Sequence, residues 1–165
     1  MRLAFVDRIT AAANALSGAC LAGMMLLTCA DVIGRAAGRP ILGAVEVTGM
    51  LAALTLAFSM PFAHQKRAHV GVELLVMRLA GRKRAALDLA TAAVGTALFA
   101  VVGHEMWEYA GTMRRAGEVS MTLRIPTYPV IYLVAVAFYL FALVYALDAG
   151  DALGRMRRGG AEGQP

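Results

Sequence analysis

Long apolar stretches alternate with short polar ones along this chain, and four of the apolar stretches have about the same length. They cover Ile9–Ala30, Val45–Ala63, Ala85–Met106 and Thr127–Leu147. About 20 apolar residues in a helix cross the hydrocarbon core of a bilayer. None of the four has a charged residue near its centre, where a charge costs roughly 2.5–3.5 kcal/mol on insertion scales. The pattern predicts an all-α integral membrane protein with four transmembrane helices.

Basic residues collect on alternate sides of these stretches, and this asymmetry predicts the topology. Of the 16 Lys and Arg residues, eleven lie in the N-terminus, the second connection and the C-terminal tail, and five lie in the first and third connections. Connections rich in Lys and Arg stay in the cytoplasm. We therefore expect both termini and Gln65–Arg84 to be cytoplasmic, and Asp31–Ala44 and Trp107–Ile125 to lie outside.

Composition limits what else the chain contains. Hydrophobic residues make up 59% and charged residues 16%, whereas soluble domains carry about 25% charged residues. We expect residues 1–150 to form the membrane domain and residues 151–165 a polar cytoplasmic tail, disordered from Arg155. The net charge of +5 is compatible with nucleic-acid binding, but the charges lie at the ends of the spans, so we expect no nucleic-acid partner.

The first apolar stretch follows basic residues, as the apolar core of a signal peptide does. Its apolar run is about 21 residues long, whereas the usual core of a signal peptide has about 7–15. We therefore expect a retained transmembrane helix.

Residues that carry chemistry are sparse. Cys20 and Cys29 lie in one span, about 13 Å apart along a helix, which is too far for a disulfide. His64, His69 and His104 lie near span ends on both predicted sides, so they do not suit a shared haem site. The sequence also lacks metal-ligand spacing, a phosphate loop and a nucleophile motif. We expect no catalytic residue, no metal and no cofactor, and therefore not an enzyme.

Small residues recur every four positions in the first two spans, which places each set on one helix face. Such faces let helix backbones approach closely in lipid, so we expect helix contacts there. The residues are Ala15, Ala19 and Gly23 in the first span, and Gly49, Ala53 and Ala57 in the second.

The second connection has an apolar centre, Val70–Leu79, between basic flanks. It is too short to span a bilayer. One interpretation is an interfacial amphipathic helix that rests on anionic lipid headgroups, and the other is a plain loop. The candidates for headgroup contact are Lys66, Arg67, Arg82, Lys83 and Arg84.

Two features mark the predicted outer side. Trp107, Tyr109, Tyr128 and Tyr132 are amphipathic aromatic residues of the kind that collects at the bilayer boundary. Glu46 lies in the first turn of the second span, where the helix dipole stabilises a carboxylate; the alternative is a contact with a partner subunit.

Three local patterns, in this order, accompany the four spans. The first is Gly-Arg-Pro at 38–40 followed by Ala-Val-Glu at 44–46, the second is His-Val-Gly-Val-Glu-Leu at 69–74, and the third is Ser-Met-Thr-Leu-Arg-Ile-Pro at 120–126. With these patterns the chain resembles the small membrane subunit, of DctQ type, of tripartite ATP-independent periplasmic (TRAP) transporters. It departs from the family pattern in having Glu73 where the family has Asp, and a single acid, Glu46, where many relatives have two.

The resemblance implies a function and partners. A periplasmic substrate-binding protein would deliver an organic acid, such as a dicarboxylate, to a complex of this subunit and a large multi-span permease subunit in the bacterial inner membrane. The large subunit would carry out sodium-driven symport by an elevator movement, and this subunit would brace its fixed scaffold. The candidates for partner contact are Arg35, Arg39, Glu46, Gly49, Ala53, Arg114, Arg115 and Glu118.

Two alternatives lie outside transport. One is a small four-helix membrane interaction or sensor protein, and the other is a haem-bearing membrane anchor of a redox complex. The sequence does not discriminate the transported substrate, because in the family that specificity lies in the other two components.

Overall fold

The computed structural model describes residues 2–65 and 82–159, and in this part of the chain the structure is built from four α-helices. They are α1 (Arg2–Ala36), α2 (Ala44–Gln65), α3 (Arg82–Ala116) and α4 (Tyr128–Gly159). Each is long and apolar enough to cross a membrane, with a most apolar window of mean hydropathy between 1.5 and 2.5. The predicted all-α fold with four spans is confirmed.

The helices are longer than the apolar stretches that predicted them. α1 continues six residues past Ala30, and α3 continues ten residues past Met106. α4 runs to Gly159, so the first nine residues of the predicted tail are helical, and the expected disorder from Arg155 is wrong as far as Gly159. The reason is that hydropathy marks the part of a helix in contact with hydrocarbon, while charged residues such as Arg and Glu continue a helix readily in water.

The four helices form two antiparallel hairpins, α1–α2 and α3–α4, which meet where α2 packs on α4. α3 and α4 make the most extensive contact, and α1 and α3 lie at the flanks. Only 11% of the apolar window of α1 is buried within the chain, against 28% for α4. We call the end with the connections 37–43 and 117–127 the loop end, and the opposite end, where α1 and α3 begin and α2 and α4 finish, the termini end.

Glycines of α3 lie against tyrosine side chains of α4 along the hairpin. A Cβ atom on Gly95 would lie 2.6 Å from the ring of Tyr145, and one on Gly103 would lie 3.3 Å from the ring of Tyr139. These two helices therefore approach as closely as they do because the glycines have no side chain. The ring contacts, from the termini end, are Gly95 with Tyr145 and Gly103 with Tyr139. Nearer the loop end, the Cβ position of Gly111 lies 3.6 Å from the Tyr132 hydroxyl, which is an ordinary contact distance.

The α1–α2 hairpin uses hydrogen bonds between its helices. The buried Ser17 hydroxyl donates to the carbonyl oxygen of Thr55 at 2.8 Å. The fully buried Thr10 hydroxyl lies 2.6 Å from Oε1 of Gln65. Both hydroxyls thereby find partners where water is absent, which removes the cost of burying them unpaired.

The small-residue faces that the sequence predicted are largely not the contact faces within this chain. Ala15 and Ala19 are exposed, and of their set only Gly23 faces α2, with its Cβ position 3.8 Å from Leu51. The buried stripe of α1 advances by alternating steps of three and four, which keeps it on one side of a 3.6-residue helix. Its members are Val6, Thr10, Ala13, Ser17 and Cys20.

The hairpins meet halfway along the bundle through small residues. Ala13, Ala57 and Ala137 pack with Phe58 in one buried cluster that contains residues of α1, α2 and α4. Ala57 is therefore a helix contact, as predicted, while Gly49 and Ala53 on the same helix are exposed.

At the termini end, α2 meets α4 through a histidine. His64 Nε2 lies 2.9 Å from Oδ2 of Asp148, and its ring lies against Tyr145 with 4.0 Å between ring centroids. Tyr145 in turn neighbours Phe99 and Phe141. Among the described residues, the contacts between the hairpins at this end are made by side chains.

Candidate functional site

The two helices that run towards the loop end, α1 and α3, stop with the same backbone motif. Each is followed by a glycine with positive φ, 73° at Gly38 and 65° at Gly117. The N–H of the next residue donates to the carbonyl five residues back, at 2.7 Å after α1 and 3.2 Å after α3. This Schellman cap uses the left-handed conformation that glycine adopts without strain. The glycines thus fix how both connections begin.

Asp31 organises the first connection. The carboxylate, buried near the end of α1, accepts hydrogen bonds from Nε of Arg35 at 2.8 Å and from the backbone N–H of Ile41 at 3.0 Å. Gly34 is close by, and a Cβ there would lie 2.6 Å from the carbonyl oxygen of Arg39. A charged acceptor bound to a backbone donor fixes the path of the main chain, so residues 37–43 fold tightly against the helix end.

Glu46 fastens the second hairpin to the first. Its Oε1 accepts a hydrogen bond from the N–H of Thr122 at 2.7 Å, and its Oε2 accepts one from the N–H of Leu123 at 3.2 Å. The two partners lie 76 and 77 residues further along the chain. Hydrogen bonds to an ionised acceptor are about twice as strong as neutral ones. We call this arrangement the Glu46 clasp.

The segment that Glu46 holds is itself a tight turn. Ser120 donates its N–H to the carbonyl of Ile125 at 2.9 Å, and its carbonyl accepts the N–H of Arg124 at 3.2 Å. The Ser120 hydroxyl oxygen accepts the N–H of Ile125 at 3.3 Å. Arg124 has φ of 52°, a left-handed conformation uncommon for a residue with a side chain. The clasp therefore holds a turn whose backbone is already satisfied.

The two connections also touch through side chains and expose apolar groups. Gly43 lies directly against the side chain of Leu123, with no room for a Cβ. Met121, at the tip of the turn, is 98% exposed, and Leu42 and Val45 are each 75% exposed. Apolar groups presented by a fixed backbone are typical of an interaction surface.

An apolar groove opens beside the clasp. It has a volume of about 520 Å³, within the range of about 300–1,000 Å³ typical of binding sites. Gly49 and Ala53 of α2 form one wall, Met106 and Tyr109 of α3 the other, and α4 the floor. Met121 and Ser120 lie at its loop-end mouth.

The structure brings the predicted partner-contact residues to this end of the molecule. Arg39, Arg114, Arg115 and Glu118 are exposed at or beside the helix ends, while Arg35 is exposed and already paired with Asp31. Glu46 is only partly exposed, because both carboxylate oxygens are bound within the chain. Gly49 and Ala53 lie deeper, in the groove wall.

Of the predicted headgroup-contact residues, the structure describes three, and these lie at the termini end. Arg82, Lys83 and Arg84 form the first turn of α3, so the connection is shorter than the predicted Gln65–Arg84. Lys66 and Arg67 lie outside the described residues, as do the apolar segment 70–79 and the second family pattern at 69–74. The interfacial helix remains a prediction.

Sequence reasoning missed three features of the structure, two of them at the loop end. The Glu46 clasp joins segments too far apart in sequence for any spacing rule, although the first and third family patterns contain its two halves. Asp31 gave no signal, because its bond to Ile41 depends on how the loop folds. The α3 glycines, in contrast, recur every eight residues, and this spacing is visible in the sequence.

Among the described residues, no group of three or more His, Cys, Asp or Glu side chains is placed to hold a metal ion. His64 is bound to Asp148, and His104 is exposed on α3. Cys20 is buried and Cys29 exposed, and both are free thiols.

Comparison with protein families gives a match that covers most of the chain. The family model described as tripartite ATP-independent periplasmic transporters, DctQ component, matches residues 24–154. The matched region includes both connections at the loop end, the groove and the Glu46 clasp. Comparisons with curated proteins and with solved structures give no match.

Proposed function

This chain belongs to the DctQ component family of tripartite ATP-independent periplasmic transporters, and we propose that it braces the fixed scaffold of the large permease subunit through its loop end. The family is one of transporter components rather than enzymes, which favours transport over the sensor and haem-anchor alternatives. Its partners are the large permease subunit and a substrate-binding protein. The chain itself is a multi-pass membrane protein.

The observation that carries the proposal is the Glu46 clasp. A scaffold must hold its shape while another element moves against it, and the clasp joins the two hairpins through main-chain hydrogen bonds. The surface around it combines exposed apolar side chains with exposed Arg39, Arg114 and Arg115. An apolar centre with a polar rim is the usual composition of a protein–protein interface.

A division of labour follows for transport. Substrate and ion pathways usually need polar groups or broken helices in mid-membrane. The buried acid of the loop end, Asp31, is already engaged by Arg35 and Ile41. We therefore propose that the large subunit moves an organic acid with sodium, and that this subunit neither binds nor moves substrate alone.

Reconstitution tests this proposal. We expect proteoliposomes with this chain alone to show no sodium-driven uptake, and proteoliposomes with both membrane subunits and the binding protein to take up substrate. Uptake by this chain alone would refute the scaffold role. Full uptake by the large subunit and binding protein without this chain would show that bracing is dispensable.

We also propose that the loop end faces the periplasm of a bacterial inner membrane, in line with the eleven-to-five distribution of basic residues. Single cysteines test this in a background without Cys20 and Cys29. Arg39 and Glu118 suit the test, because both are exposed and neither has the positive φ of Gly38 or Gly117. An impermeant thiol reagent should label both in intact cells; labelling of a cysteine at Gly160 instead would invert the topology.

A further inference from the structure

Five acids lie on or near the loop half of the bundle, and they differ in what binds their carboxylates: Asp31, Glu46, Glu105, Glu108 and Glu118. Asp31 and Glu46 both bind backbone N–H groups within the chain. Glu105, on α3, is exposed, and the described residues offer its carboxylate neither a salt bridge nor a hydrogen bond. Its position on the helix therefore decides whether it meets water, lipid or protein.

The contacts between α3 and α4 give the level of Glu105 in the bundle. Met106, the next residue, lines the groove together with Val130, Ile131 and Val134 of α4. These three α4 residues are about half a turn to two turns, or roughly 3–9 Å, inside the start of α4 at Tyr128. Everything on α4 from Val130 to Leu147 is uncharged. Glu105 thus lies beside the apolar part of its neighbouring helix.

The exposed face of α3 is apolar up to this point. Val94, Leu98 and Val101 are 67%, 55% and 59% exposed, and Glu105 follows four residues after Val101 on the same side of the helix. Apolar side chains exposed in this way suit lipid, whereas an ionised carboxylate in hydrocarbon is costly. Acids in such positions almost always face protein or a water-filled cavity, with a partner.

The same side of α3 borders the groove. Tyr109 is one turn beyond Glu105, is 47% exposed, and forms part of the groove wall opposite Gly49 and Ala53. The exposed side of α3 and the groove therefore form one continuous surface, which runs from Val101 through Glu105 and Tyr109 to α2. We call this whole surface the α3 face.

We propose that the α3 face is covered by the large permease subunit, which supplies a cationic or hydrogen-bond-donating side chain to the Glu105 carboxylate. The inference rests on the proposed function and adds which side of this subunit is engaged. Charge complementarity selects the occupant, since a lipid acyl chain would leave the carboxylate unpaired. Apolar side chains of the same subunit would fill the groove beside Gly49 and Ala53.

A photo-reactive amino acid locates the contact in the assembled complex. Placed at Val101 or at Tyr109, it should give an adduct of the two membrane subunits on illumination in cells that produce all three components. The matched control is Leu26 on α1, which is 72% exposed on the opposite flank, and it should give no such adduct. Adducts from Leu26 but not from Val101 and Tyr109 would overturn the proposal.

Substitution tests the role of the carboxylate. Recovery of the large subunit with tagged Glu105→Leu should fall roughly tenfold, the change expected when a hydrogen bond to a charged group is lost. Glu105→Gln, which still accepts a hydrogen bond, should retain more, and Asp151→Asn, an exposed acid at the termini end, should match wild type. The purified Glu105→Leu subunit should unfold at the wild-type temperature or above, because no internal bond is lost.

Recovery of the large subunit distinguishes failure of the proposed function from failure of the α3 face. If the wild-type chain does not recover the large subunit, the proposed function fails. If the wild-type chain recovers it, and Glu105→Leu recovers as much, the α3 face is wrong while the scaffold role stands.

Discussion

The α3–α4 hairpin and the α1–α2 hairpin bring their helices together by different means. In the first, glycines eight residues apart lie against tyrosine side chains, and a Cβ added to Gly95 would lie 2.6 Å from the facing ring. In the second, buried hydroxyls bond across the interface, as Ser17 does to Thr55. A small residue thus marks a close contact only where another helix lies opposite it; at Gly49 nothing lies within 4 Å of the Cβ position.

The hairpins also differ in what joins them at each end. At the loop end, a carboxylate binds two backbone N–H groups through the Glu46 clasp. At the termini end, His64 meets Asp148, whose side chain is 53% exposed. A bond to the main chain fixes the fold of a loop, whereas an exposed pair of side chains rearranges at little cost. Among the described residues, the loop end is therefore held more firmly than the termini end.

The largest effect should come from adding a methyl group to the α3–α4 interface. Gly95→Ala should destabilise the chain by roughly 1–3 kcal/mol, because the new Cβ overlaps the Tyr145 ring. Gly49→Ala is the matched control: nothing lies within 4 Å of its Cβ position, and alanine favours a helix by up to about 1 kcal/mol. Thermal unfolding of the purified subunits in detergent measures both, and equal midpoints would contradict the glycine–tyrosine interpretation.

A smaller effect is expected at the α1–α2 interface. Ser17→Ala removes the bond to Thr55 and should cost about 0.6 kcal/mol, the average for hydrogen bonds between transmembrane helices. Thr28→Ala is the control, since the Thr28 hydroxyl bonds only to Met24 of its own helix turn. A greater loss for Thr28→Ala than for Ser17→Ala in the same unfolding measurement would argue against a hydroxyl-based hairpin.

The smallest effect is expected at the termini end. Asp148→Asn removes the charge beside His64 and should cost near the low end of the ~0.2–1 kcal/mol typical of exposed pairs. Recovery of the large subunit should not change, because this end is not the proposed contact. Asp151→Asn, an exposed acid on the same helix, serves as the control. Loss of the large subunit with Asp148→Asn would shift the interface to this end.

The sequence was sufficient for the spans and insufficient for where the helices end. Hydropathy places Ile9–Ala30 correctly inside α1, but α1 continues to Ala36. Hydropathy did not mark this extension, because it includes the charged residues Asp31 and Arg35. Glycine, in contrast, is a local signal: Gly38 and Gly117 lie just past the ends of α1 and α3, as capping chemistry predicts.

The sequence predicted where the candidate site lies, but not the hydrogen bonds that hold it together. The outer charges and the family patterns include Arg39, Glu46 and 120–126, which the structure brings to one end. Sequence could not show that Glu46 is bound to Thr122 and Leu123, since a carboxylate that faces a partner and one that holds a distant loop look alike in sequence. The faces of Ala15 and Ala19 failed for a related reason, because a step of four residues does not say what lies opposite.

The central claim is that the Glu46 clasp builds the surface on which the complex assembles. Its most direct test is recovery of the large subunit by tagged Glu46→Ala, with hydrogen exchange of the Thr122 and Leu123 amides measured on the same samples. Asp151→Ala, an exposed acid at the termini end, is the control. The clasp predicts that Glu46→Ala exchanges both amides faster and loses most of the large subunit, while Asp151→Ala behaves as wild type. Wild-type recovery of the large subunit by Glu46→Ala, with both amides exchanging freely, would contradict it.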